Sequence, residues 1–101
     1  MFTLNDIEAI ESNEDASAED HYLALQRAIN SGVAWSFQGA YGREMMHAIE
    51  SGYCMLGRDQ ARDYYGNMIP SRDDVKKGTK GSYQFVIDQQ GLEWADLMLE
   101  V

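Results

Sequence analysis

The chain has one proline, one cysteine and no long apolar run, and both of its ends lack basic residues altogether. A lone thiol, Cys54, rules out an intrachain disulfide and fits a reducing compartment. No stretch approaches the roughly 20 apolar residues that cross a bilayer. The opening Met1-Phe2-Thr3-Leu4-Asn5-Asp6 has the look of a helix entry rather than of a signal peptide, so the expected location is the cytoplasm. The single proline, Pro70, restricts Ile69 to extended geometry.

Catalytic motifs are missing as well. Cys54 sits among Tyr53, Met55 and Leu56, whose apolar character raises a thiol pKa and makes it inert. Glu44 and His47 form one Glu-x-x-His pair, but a di-iron bundle needs two such pairs and two further inward glutamates. His21, His47 and Cys54 have no zinc-finger spacing. The Lys77-Gly78-Thr79-Lys80-Gly81-Ser82 loop is rich in glycine and hydroxyls, but it departs from the phosphate-loop pattern and no strand precedes it; it reads as a capped loop. Asp73 and Asp74 fit the favourable first turn of a helix. No enzyme, cofactor or metal is expected.

What is present is acid. Seventeen Asp and Glu oppose eight Lys and Arg, for a net charge of −9. Residues 1–26 hold seven acids and no base, residues 27–80 hold six acids and all eight bases, and residues 81–101 hold four acids and no base. Such a field repels nucleic acid and anionic membrane and attracts basic protein surfaces. The candidate partner-binding residues are Asp6, Glu8, Glu11, Glu14, Asp15, Glu19 and Asp20. Spread over helix faces, these carboxylates can imitate nucleic-acid phosphates and occupy a groove built for them. A solvated face is the plainer explanation of the same run.

At 101 residues and 45% hydrophobic content, the chain makes one domain, residues 1–101, with a core of its own. The expected class is all-α, a bundle of about four to six helices. Thr3 or Asn5 caps a short first helix. Ser17, three residues before Asp20, opens the clearest one, with Tyr22, Leu25 and Ile29 on one face and Gly32 as its left-handed stop. Ser36 caps the next, with Phe37, Tyr41, Met45, Ala48 and Ile49 as its stripe and Ser51-Gly52 as its end. A two-turn helix is expected over 58–65, and a short one over 71–77, opened by Ser71 with Asp74 and closed by Gly78. Tyr83, Val86, Ile87, Trp94, Leu97, Met98 and Val101 fit one broad helical stripe with Gly91 as its weak point. The alternative is a strand at 83–87 followed by a separate helix at 92–99.

Ser36-Phe37-Gln38-Gly39-Ala40-Tyr41-Gly42-Arg43, Gly52-Tyr53-Cys54-Met55-Leu56-Gly57 and Pro70-Ser71-Arg72-Asp73 resemble segments of small uncharacterised proteins of tailed bacteriophages and prophages. In size, acidity and want of a catalytic motif, the whole chain also resembles the small phage anti-CRISPR proteins. That resemblance implies a single domain that blocks a type I CRISPR-Cas interference complex, or its nuclease, by stoichiometric binding; it transfers no functional residue. The expected partner is then a host protein with a basic, nucleic-acid-handling surface, met by a monomer. The rival expectation is a structural or interaction module, or a homodimer, that uses a Trp94-Leu97-Met98-Val101 face.

Overall fold

Apolar side chains three and four apart define two helices in the first half of the chain, and glycine ends both. In a computed structural model describing residues 18–32, 35, 40–63 and 65–101, α1 spans Ala18–Ser31 and α2 spans Ala40–Glu50. Gly32 and Gly52 follow them at φ 80° and 81°, the left-handed turn expected at both positions. At Gly52 any side chain is barred twice over, because a Cβ there would lie 2.6 Å from Cβ of Gln89. Beyond lie a two-stranded ribbon, β1 (Ala61–Arg62) and β2 (Met68–Ile69), and two more helices, α3 (Tyr83–Gln90) and α4 (Leu92–Glu100). The molecule is a small, mainly helical domain. The expected first helix and the Ser17 and Ser36 caps fall outside the described residues.

The middle of the chain corrects the all-α expectation. None of the described residues in 58–65 is helical. Asp63 folds the chain back instead: its Oδ1 accepts from the backbone N–H of Tyr65 at 2.9 Å and of Asn67 at 2.8 Å, and its own N–H donates to Asn67 O at 3.0 Å. A side chain that satisfies two nearby amides offers the backbone an alternative to helix. Ile69, extended as Pro70 requires, then pairs antiparallel with Ala61, and Met68 with Arg62. Residues 71–77 also stop short of a helix. Asp74 Oδ2 accepts from Ser71 N–H at 2.9 Å, and Asp74 N–H donates to Ser71 O at 3.1 Å. The capping pair is real, but it closes a single turn.

The last stretch is neither a continuous helix nor a strand at 83–87. Ser82 caps α3 by accepting from Phe85 N–H at 3.1 Å. Gly91 then breaks the stripe at φ 97°, ψ 164°, a conformation essentially confined to glycine. Its N–H ends α3 on Ile87 O, and its carbonyl starts α4 by accepting from Ala95 N–H. The β-favouring Tyr-Gln-Phe-Val-Ile run stays helical because the cap fixes its first turn and Val86 packs into the core.

Leu25, Ile29, Met45, Ala48, Ile49, Val86, Ala95 and Met98 fill that core from the four described helices. Cys54, Met55 and Leu56 run through it as irregular chain. Buried irregular backbone must find partners for its polar groups, and here side chains supply most of them. The wholly buried Gln26 clamps Met55, donating to its carbonyl and accepting from its N–H, each at 2.9 Å. Arg72 Nε donates to Leu56 O at 2.9 Å, and Leu56 N–H donates to Gly81 O.

Helices α1 and α4 lie side by side and run in the same direction. The Tyr22 and Trp94 rings meet edge to face at 5.9 Å near the two N-termini. At the other end, Asn30 Nδ2 donates to Val101 O at 2.7 Å. Arg58 Nη2 donates to Leu99 O and Val101 O and so satisfies carbonyls that the end of α4 leaves open.

Candidate functional site

The parallel pair brings together two acidic segments that are far apart in sequence. Glu19 and Asp20 lie exposed in the first turn of α1, and Glu93 lies exposed in the first turn of α4. Because the helices share a direction, all three carboxylates stand at the same end of the pair. Each also complements the positive end of its own helix. Asp88, Asp96 and Glu100 are exposed on α3 and α4. Asp96 accepts from the Tyr83 hydroxyl, which pushes the phenol pKa up, and Asp88 accepts from Gln84 Nε2 at 2.9 Å. Of the seven carboxylates expected to bind a partner, Glu19 and Asp20 are placed here; Asp6, Glu8, Glu11, Glu14 and Asp15 lie outside the described residues.

Aromatic packing makes the acidic end rigid. Tyr22 and Tyr53 stack at 4.3 Å with planes 9° apart, and Trp94 meets both edge-on at 5.9 Å. Trp94 Nε1 donates to Tyr53 O at 2.9 Å. His21 packs edge-on against Tyr22 and reaches Glu44 of α2, Nε2 to Oε1, at 2.8 Å. Glu44 is therefore turned toward the neighbouring helix, while His47 stands exposed. Among the described residues, no three His, Cys, Asp or Glu gather as a metal site would require.

The other residues with candidate chemistry are occupied structurally. Cys54 is fully buried, its thiol meets Tyr22 O at 3.5 Å, and burial pushes its pKa far up. In the Lys77–Ser82 loop, Ser82 Oγ accepts from Gly78 N–H at 3.1 Å and from Phe85 N–H, and its hydroxyl donates to Thr79 O at 2.8 Å. Those amides and that hydroxyl are turned on one another, which makes the loop a cap. Asp74 does not complement a helix dipole; it ties the Ser71 turn to Gln60 Nε2, and these bonds lower its pKa.

The Trp94-Leu97-Met98-Val101 face is partly taken up by the fold, with Trp94, Leu97 and Val101 still partly exposed. Met98 is fully buried, Trp94 is held by Tyr53, and Val101 O receives Asn30 and Arg58. Gln26 and Arg72 organise the interior, and Asn30 and Arg58 close the end of α4; the sequence pattern does not show these hydrogen bonds. A signal existed for Gln26, which lies four residues after Tyr22 and three before Ile29 and so interrupts the apolar stripe. No described helix is long and apolar enough to cross a membrane. No family model, curated protein or solved structure matches the chain.

Proposed function

We propose that this protein is an inhibitory binding protein of phage origin. It acts as a monomer in the cytoplasm of the bacterial host and covers a basic, nucleic-acid-handling surface of a host protein. A type I CRISPR-Cas interference complex or its nuclease is the target class, blocked by stoichiometric contact rather than by catalysis. One observation carries this reading: the parallel packing of α1 and α4 puts Glu19, Asp20 and Glu93 at one end, in segments without a single Lys or Arg. A rigid anionic end of this kind steers toward cationic grooves and discriminates against anionic partners. The anti-CRISPR resemblance supplies the target class.

Affinity capture from a bacterial lysate, washed at low and at high salt and read by mass spectrometry, tests it. The expected result is one nucleic-acid-handling protein that is retained at low salt and shed at about 1 M, where the screening length falls to about 3 Å. In a strain with active type I immunity, expression of the chain restores plaques of a targeted phage. A specific partner held equally well at both salt concentrations contradicts the acidic-contact reading.

A further inference from the structure

Along one edge of α4 the fold leaves two apolar side chains partly uncovered. Leu92 is 57% exposed and Leu99 is 39% exposed; the fully buried Ala95 lies between them on the core side of that edge, and Met98 faces further into the core. Seven residues apart, the two leucines lie on one stripe, separated by two turns or roughly 10 Å. Asp96 flanks them on the solvent side, with Glu93 and Glu100 beside it, all three exposed. A single exposed leucine is ordinary on a protein surface. Two leucines at i and i+7 match the spacing of helices that seat in grooves, and their polar neighbours are all of one charge.

We propose that this face, Leu92-Glu93-Asp96-Leu99-Glu100, docks as a ridge into an apolar groove rimmed by Lys and Arg on the partner protein. The leucines fill the groove floor, and the three carboxylates meet the cationic rim. Asp96 is already oriented by the Tyr83 hydroxyl, so less freedom is lost on docking. Charge selects the occupant. A second copy docking by the same face would set these carboxylates against their own kind, and like charges so juxtaposed oppose contact. Nucleic acid and anionic lipid are repelled by the same field. This proposal rests on the acidic-docking reading and adds to it the anchors and the chemistry of the groove.

The test is a titration of isotope-labelled protein, followed amide by amide, with three synthetic amphipathic helical peptides: one of Leu and Lys, one of Leu and Glu, and one of Ser and Lys. The Leu–Lys peptide is expected to shift the amides of 92–100 and to bind more tightly than the Ser–Lys peptide, with no binding of the Leu–Glu peptide. Replacing both leucines (Leu92→Ser with Leu99→Ser) weakens it about tenfold or more. The conservative pair Leu92→Met with Leu99→Met keeps the affinity, and circular dichroism confirms that both variants remain folded. Shifts centred on residues 58–80, or affinity unchanged by the serine pair, overturn the proposal. Binding that is salt-sensitive but indifferent to the leucines removes the anchors and leaves the acidic reading standing. Binding insensitive to both salt and charge reversal removes both.

Discussion

The α1–α4 pair and the irregular chain from Gly57 to Ser82 are held together by different physics. In the helical pair, Leu25, Ile29, Ala95 and Met98 are buried at helical spacing, and the acids stand outside. The backbone of each helix satisfies itself along its length, and side chains are called on at the end of α4, where Asn30 and Arg58 meet the carbonyls of Leu99 and Val101. The irregular region carries six of the eight basic residues and takes its shape from side chains that bind backbone: Asp63 in the ribbon turn, Asp74 and Ser71 in the next, Arg72 on Leu56, Ser82 in the last loop. Nonspecific burial organises the anionic side of the molecule, and individual polar contacts organise the cationic side. An anionic surface built on a packed scaffold tolerates changes in its outward charges, which suits a contact face.

Substitutions should expose this difference. The largest effect is expected where the two regions join. Gln26→Leu leaves the buried N–H and carbonyl of Met55 without their partner and costs about 2–5 kcal/mol in urea unfolding. Next comes Gly91→Ala. Nothing lies within 4 Å of a Cβ there, so the cost is conformational, about 1–3 kcal/mol, and falls on the joint between α3 and α4. Ser82→Ala removes the α3 cap and the acceptor for Gly78 N–H, a loss of about 1 kcal/mol in the same assay. If Gln26→Leu proves no worse than Ser82→Ala, the seam is not where the two regions depend on each other.

Acid separates the regions with the smallest effect. Backbone N–H donors, Asn67 first, hold the Asp63 carboxyl below its ordinary range; for Asp74 the first cause is Ser71 N–H, with Gln60 next. A carboxyl whose folded pKa is depressed stabilises the fold fully above its unfolded value, near 4, and that contribution fades as pH falls through the folded value. Amide exchange across that window is expected to open the ribbon and the Ser71 turn before it opens α1 and α4. Simultaneous opening contradicts the division.

The same division explains what could be read from the sequence. The body of α1, the α2 stripe from Met45 on, their glycine stops and the inert Cys54 were legible, because burial repeats every three or four residues and Gly32 and Gly52 punctuate it. The ribbon was not legible. Ala61-Arg62-Asp63 suits a helix locally, and only the bonds from Asp63 to Tyr65 and Asn67 decide against one. Ser71 with Asp74 signals a cap but does not say whether enough helix follows. For the site, the acids were plain in composition, but the meeting of Glu19 and Asp20 with Glu93 depends on α1 and α4 running parallel, which no local pattern encodes. Leu92 and Leu99 lie off the stripe through Trp94 and Met98, so the periodicity that marks the buried side gives no sign of them.

The central claim is that the acidic end makes the contact, and charge reversal tests it most directly. With the partner in hand, calorimetric titration of a Glu19→Lys, Asp20→Lys, Glu93→Lys triple variant should show affinity reduced at least about tenfold at low salt. Circular dichroism must show the variant folded, because each reversed charge also opposes the positive end of its helix and lowers the unfolding midpoint. Wild-type affinity in that folded variant would contradict the account and make the acids a solvated face.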